Sequence, residues 1–180
     1  MTKPVKRIHL AAHFAGCCAE LLAPTNAARA WEFSDLQALL ASQAAARELH
    51  LDEKSLNELA LSLALIADRC FRHAALHWAA NFADARGASL RLYGQGWEKH
   101  PRFAKYAAGP VAQGPDIHAL YQASAINLQL IEGGFLHSRS LDGLAAGGFF
   151  LTRASPNDSR SDELSHALHI LGTRALALNL

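Results

Sequence analysis

Residues Ile126 to Thr152, INLQLIEGGFLHSRSLDGLAAGGFFLT, restrict the fold more than any other part of the chain. Ile126, Leu128 and Leu130 alternate with Asn127 and Gln129, which is the period of a strand. Gly133-Gly134 then turn the chain. Leu136, Leu141, Leu144 and Ala145 follow at helical spacing until Gly147-Gly148 stop the helix, and Phe149 to Thr152 open a second apolar run. A strand, a glycine turn, a helix and another strand predict a parallel pair whose ligand crevice lies where the helix begins. His137, Ser138, Arg139 and Asp142 gather at that point.

A helix amino terminus offers unpaired N–H groups and a partial positive charge, so an anion against Gly133 to Ser138 would meet both. Arg139 adds a fork of donors suited to phosphate. Asp142 falls three positions later on the same face, where a carboxylate can accept from ribose hydroxyls. The arrangement suits a nucleoside diphosphate. Spacing alone leaves a second reading open, in which Arg139 and Asp142 form an exposed ion pair and His137 caps the helix.

The segment Leu92 to Arg153 carries further landmarks in order: Tyr93-Gly94 with Gly96-Trp97, Gly109-Pro110-Val111, Leu120-Tyr121, His137-x-Arg139, and Asp142-Gly143-Leu144-Ala145-Ala146-Gly147-Gly148. In this it resembles the carboxyl-terminal domain of group 1 glycosyltransferases, close to the spore-maturation type with a GT-B fold. The resemblance implies a nucleoside-diphosphate sugar as donor substrate, with no cofactor and no metal. It implies diphosphate binding by Gly133, Gly134, His137, Ser138 and Arg139, and ribose binding by Asp142, where many relatives carry glutamate. Gly94, Gly96 and Trp97 become cleft wall, and the Gly109 to Val111 run lies near the base. No catalytic residue is assigned, because in the resembling family the acceptor side and any base belong largely to the other domain.

A whole GT-B enzyme has two facing domains, whereas 180 residues suit about one plus an extension. The chain therefore reads as a fragment or a shortened paralogue, whose partner would be an amino-terminal GT-B half or another protein. Apolar residues at 51% and charged residues at 18% describe a folded globule, and a net charge of +1 gives no field for nucleic acid. Cys17, Cys18 and Cys70 are odd in number and irregular in spacing, which fits reduced thiols and a cytoplasmic location. No stretch is long and apolar enough to predict a membrane span. Lys3, Lys6 and Arg7 ahead of an apolar run to Cys17 look superficially like a lipoprotein signal, but His9 and His13 interrupt it and favour a helix.

That helix is predicted over residues 8 to 22. Its His9, His13 and Cys17, four apart, could grip zinc or simply pack, and no metal site is assigned to them. A second helix is predicted through Leu36, Leu39, Leu40 and Ala44 behind Ser34-Asp35. The Ser55-x-x-Glu58 pattern predicts a capping box opening a long helix, or two, as far as Arg86-Gly87. Arg69, Arg72, His73 and His77 on it read as a solvated face, with donor phosphates as the functional alternative. Asp116 is expected to cap a helix containing His118, Leu120 and Tyr121. Asp162 is expected to open a final helix through Leu164, Leu168, Ile170 and Leu171. The fold class expected is α/β: a Rossmann-like parallel sheet, one half of a GT-B fold, with a helical N-terminal extension. Its strands are placed near 90–93, 109–111, 126–131 and 148–152. The expected domains are a helical extension over 1–50, a Rossmann-like nucleotide-sugar-binding domain over 51–155, and a loop with a C-terminal helix over 156–180.

Overall fold

The structure, a computed structural model, describes residues 4–27, 29, 31–131, 137–153 and 175–178. Its contacts divide the chain into two compact units, Met1–Ala75 and Leu76–Leu180. The division lies inside a helix.

The first unit contains α1 (Pro4–Leu22), α2 (Phe33–Ala45) and the opening of α3 (Glu53–Arg86). Leu36, Leu40 and Ala44 recur every four residues and give α2 its buried stripe. Leu36 and Leu40 meet Cys17 and Leu21 of α1, Trp31, and Ala60, Leu63 and Ala67 of α3 in one apolar cluster. α2 begins with a reciprocal cap in which Glu32 N–H donates to Asp35 Oδ2 at 3.2 Å. At the start of α3, Asp52 Oδ1 accepts from Ser55 N–H at 2.7 Å, so Asp52 is the cap and Ser55 already lies inside the helix. An aspartate three residues before a serine does the work that the Ser55-x-x-Glu58 pattern predicted one turn later. α3 is one helix of 34 residues rather than two.

The second unit begins in the last part of α3 and holds two small parallel sheets. β1 (Leu92–Tyr93) pairs with β2 (Ala107–Gly109), and Gly94 N–H extends the pairing to Gly109 O at 2.9 Å. β2 ends at Gly109 instead of continuing to Val111. Gly109 takes φ +77°, and Pro110 has no N–H to donate, so the ladder cannot go on. Leu92, Phe103, Tyr106 and the α3 residues Leu76 and Ala80 form the core beside this sheet.

β3 (Asn127–Gln129), β4 (Phe150–Arg153) and β5 (Ala175–Leu178) form the other sheet in that order, all parallel. The expected strands thus lie in two sheets, not one. Ala175–Leu178, placed in a terminal helical region by sequence, is a strand, while Asp162 to Leu171 lie outside the described residues. α4 (Pro115–Ala123) precedes β3, and α5 (Ser138–Ala145) crosses from β3 to β4. Gly114 is the N-cap residue of α4, so Asp116 sits in the first turn instead of capping it. Among the described residues no helix is long and apolar enough to cross a membrane.

The faces around α5 differ from the alternation in the sequence. Gln129 is 1% exposed while Ile126, just before β3, is 52% exposed, so the most buried residue of β3 is a polar one. In α5 the buried stripe is Ser140, Gly143 and Leu144, and Leu141 faces outward. Gly143 explains this stripe, because a Cβ there would collide with the Phe150 ring and crowd Tyr121. Its bareness lets α5 lie against Tyr121 and Phe150, whose rings are 5.3 Å apart. Gly147, at φ +88°, ends the helix, and Gly148 N–H returns to Gly143 O at 2.9 Å.

Candidate functional site

The amino end of α5 is set by His137. Its backbone is extended, and its Nδ1 accepts from Arg139 N–H at 3.2 Å. Ser138 and Arg139 follow, both exposed, with Asp142 one turn deeper. Gly133 and Gly134, read from sequence as the diphosphate turn, lie outside the described residues. His137 therefore caps, as one of the two sequence readings has it. The partner of Asp142 is a different matter: His118 Nε2 donates to its carboxylate, 3.1 Å from both Oδ1 and Oδ2. Twenty-four positions separate the pair, so nothing local in the sequence announces it. Arg139 and Asp142 do share a neighbourhood. Burial pushes the Tyr121 hydroxyl up from its ordinary value, Arg139 opposes that shift and Asp142 adds to it.

α4 presents two unlike faces. His118, Tyr121 and Gln122 meet α5 and β4, with Gln122 Nε2 donating to Ala146 O at 2.8 Å. Asp116, Ala119, Leu120 and Ala123 lie on the opposite side at helical spacing. Together with Tyr93, Pro110, Val111 and Ala112 they line an open, mainly apolar groove of about 510 Å³. This groove follows the carboxyl ends of the parallel strands β1 and β2, the usual place for a ligand on such a sheet. Of the Gly109 to Val111 run expected near the base, Pro110 and Val111 line this groove. Gly94, Gly96 and Trp97, expected as cleft wall, do not border it. The Trp97 ring packs edge-on to Phe103 with centroids 5.9 Å apart, and Gly94 backs its indole nitrogen. Gly96, at φ +90°, is the N-cap residue of the short 3₁₀ turn Trp97–Lys99.

The remaining basic groups are largely committed elsewhere. Arg72 pairs with Asp68 at 3.1 Å, and the His77 ring lies 4.9 Å from Phe103. Asp84 accepts from Lys105 at 2.7 Å, from the Tyr106 hydroxyl at 2.6 Å and from Arg102 at 3.0 Å. Led by the Lys105 and Tyr106 hydrogen bonds, these donors hold its carboxyl well below the usual carboxylate range. In the first unit, His9, His13 and Cys17 lie on one side of α1, but His13 and Cys17 are fully buried whereas His9 is exposed. Among the described residues no cluster of three or more metal-ligating side chains forms.

Helices with small parallel sheets, and a capped helix end beside an arginine and a carboxylate, are compatible with an α/β domain of the glycosyltransferase-like class. The family model described as glycosyl transferase-like matches residues 72–168, more than half of the 180, and the chain belongs to that family. No curated protein and no solved structure matches it. Glycosyl transfer in general is supported by this membership.

Proposed function

We propose that the chain is the carboxyl-terminal, donor-binding part of a spore-maturation-type glycosyltransferase with a GT-B fold, and that it binds a nucleoside-diphosphate sugar. The observation that carries this reading is the family match across the whole β3–α5–β4 crossover. The amino end of α5, with Gly133, Gly134, His137, Ser138 and Arg139, receives the diphosphate, and Asp142 the ribose. When the bond from the sugar carbon to the diphosphate breaks, negative charge grows on the departing oxygen. Fixed N–H groups and the Arg139 guanidinium aimed at that oxygen stabilise it more than the ground state. The acceptor, and any base that activates it, are assigned to an amino-terminal half or a partner protein. Cys17, Cys18 and Cys70 form no disulfide, and thiols kept reduced in this way support a cytoplasmic setting.

Calorimetric titration with UDP, GDP and ADP tests the reading. At least one nucleotide should bind, with Arg139→Ala and Asp142→Ala each weakening it about tenfold or more, as the loss of a charge-assisted hydrogen bond does. Binding that ignores both substitutions counts against it.

One observation favours a second reading, a nucleotide-sugar-binding or scaffold module without catalysis. The groove and Asp142 lie on opposite faces of α4, so the apolar cavity and the charged groups do not converge on a single reacting centre. Sugar transfer by the chain, alone or with a partner domain, would discard this alternative.

A further inference from the structure

Asp142 is 52% exposed and His118 41% exposed at the side chain, so the pair is open to a ligand as well as joined to itself. An aspartate on a helix surface normally samples several orientations, and a ligand that needs one of them must meet the entropic cost of fixing it. Here the fixing is already done. His118 Nε2 lies at the same 3.1 Å from each carboxylate oxygen, which centres its proton between them. An ionised carboxylate has about four acceptor positions, and this contact occupies only the inner one on each oxygen. The outer positions remain for hydroxyl donors.

His118 is itself held in place. It projects from α4 on the side that carries Tyr121 against Phe150 and Gln122 on Ala146 O, so the α4–α5 junction sets the position of its backbone. A side chain carried by one helix and aimed at a carboxylate on the next is a support of the kind that ligand-contacting groups need to keep their geometry.

We infer that His118 is a positioning residue for nucleotide recognition: it orients the Asp142 carboxylate so that an outer lone pair accepts from a ribose hydroxyl of the donor. This assignment rests on the donor reading above. It adds a residue to that reading and a specific consequence, which is that His118 controls discrimination between ribose and deoxyribose without touching the ligand.

The test uses the full 180-residue chain, calorimetry, and UDP, GDP and ADP with their 2′-deoxy counterparts. For the nucleotide that binds best, the wild type should bind the deoxy form about tenfold more weakly, the effect expected of one hydrogen bond to a charged acceptor. Asp142→Ala should bring the ratio to about one. His118→Ala should lower it to about three, and the double variant should match Asp142→Ala alone, because the two residues act as a unit. His118→Gln, which keeps a neutral N–H donor, should stay near the wild-type ratio. A His118→Ala protein that melts earlier but keeps the tenfold ratio overturns the assignment, because the contact would then only fasten two helices. Tighter ribonucleotide binding by His118→Ala overturns it as well, since the imidazole would then be blocking the carboxylate. A folded wild type that binds none of the nucleotides removes the donor reading and this assignment together. That outcome is distinct from binding with an unchanged ratio, which removes the assignment alone.

Discussion

Each unit contains a titratable group at odds with its surroundings, His13 in the first and Asp84 in the second, and the two are treated in opposite ways. In the first unit His13 is fully buried, and neither ring nitrogen has a hydrogen-bond partner among the described residues. In the second, Asp84 stays near the surface with donors from Lys105, Arg102 and Tyr106. Burial, and then the Arg47 charge, push the His13 imidazole down from its ordinary 6.5. Hydrogen bonds push the Asp84 carboxyl down from 3.8. Both shifts favour the deprotonated form in the folded chain, so both make stability rise with pH, but in different windows. The first unit depends on keeping an imidazole neutral, and the second on keeping a carboxylate charged.

The largest expected effect sharpens the contrast by striking the second unit alone. Gly143→Val places a branched side chain where even a Cβ collides with Phe150. Valine gains a few tenths of a kcal/mol in helix propensity over glycine, whereas overpacking a well-filled core costs about 3 kcal/mol. The collision should win. Urea titrations followed by fluorescence can assign the loss, because Trp31 reports the first unit and Trp78 and Trp97 the second. Single-tryptophan versions should show an early transition at Trp97 and an unchanged one at Trp31. Equal shifts at both would break the comparison, since the units would then be unfolding as one.

A smaller effect belongs to the first unit. The folded pKa of His13 lies below its unfolded 6.5, so the stability tied to its neutral form is complete above pH 6.5. It declines as pH falls from there through the lowered folded value. Replacing the ring by an apolar side chain removes both the titration and two unsatisfied nitrogens. His13→Leu should therefore stabilise the first unit by about 1 kcal/mol at neutral pH and flatten its profile between pH 7 and 5. A wild-type Trp31 transition that does not move across that range would sink the account.

How much of this was readable in advance follows the same division. Helices of the first unit come from strong periodicities such as Leu36, Leu40 and Ala44, and they lie where the sequence puts them. In the second unit the strand–helix–strand order of residues 126–153 was legible because Gly147 and the alternation around Leu128 are local signals. The sheet organisation was not, because strands of two to four residues carry too little pattern to say which neighbours they take. Which residues face outward, such as Leu141, is hidden in the sequence for a related reason. Gly143 decides which side of α5 turns inward, and a residue without a side chain leaves no mark in a hydrophobic pattern. That His137, Arg139 and Asp142 lie together is legible in their local spacing, while the contact of His118 with Asp142 is hidden by a 24-residue separation. Asp52 is a cap that the overlapping Ser55-x-x-Glu58 pattern obscures.

The smallest effect expected concerns Asp84, and its sign is set by the same linkage. Its folded pKa is depressed, so its contribution is complete above 3.8 and is lost only as pH falls below that value. Asp84→Asn keeps the size of the side chain and an acceptor oxygen but removes the charge that draws Lys105 and Arg102. Because the group is open to water, screening limits what the ion pairs add, and the change near neutral pH should be slight. The distinguishing result lies in acid. Between pH 4 and 2 the wild-type Trp97 transition should weaken more steeply than that of Asp84→Asn, while the Trp31 transition, governed by His13 at higher pH, should not respond to the substitution. Identical acid slopes for the two proteins would show that the Asp84 cluster sets geometry at the end of α3 without anchoring the second unit.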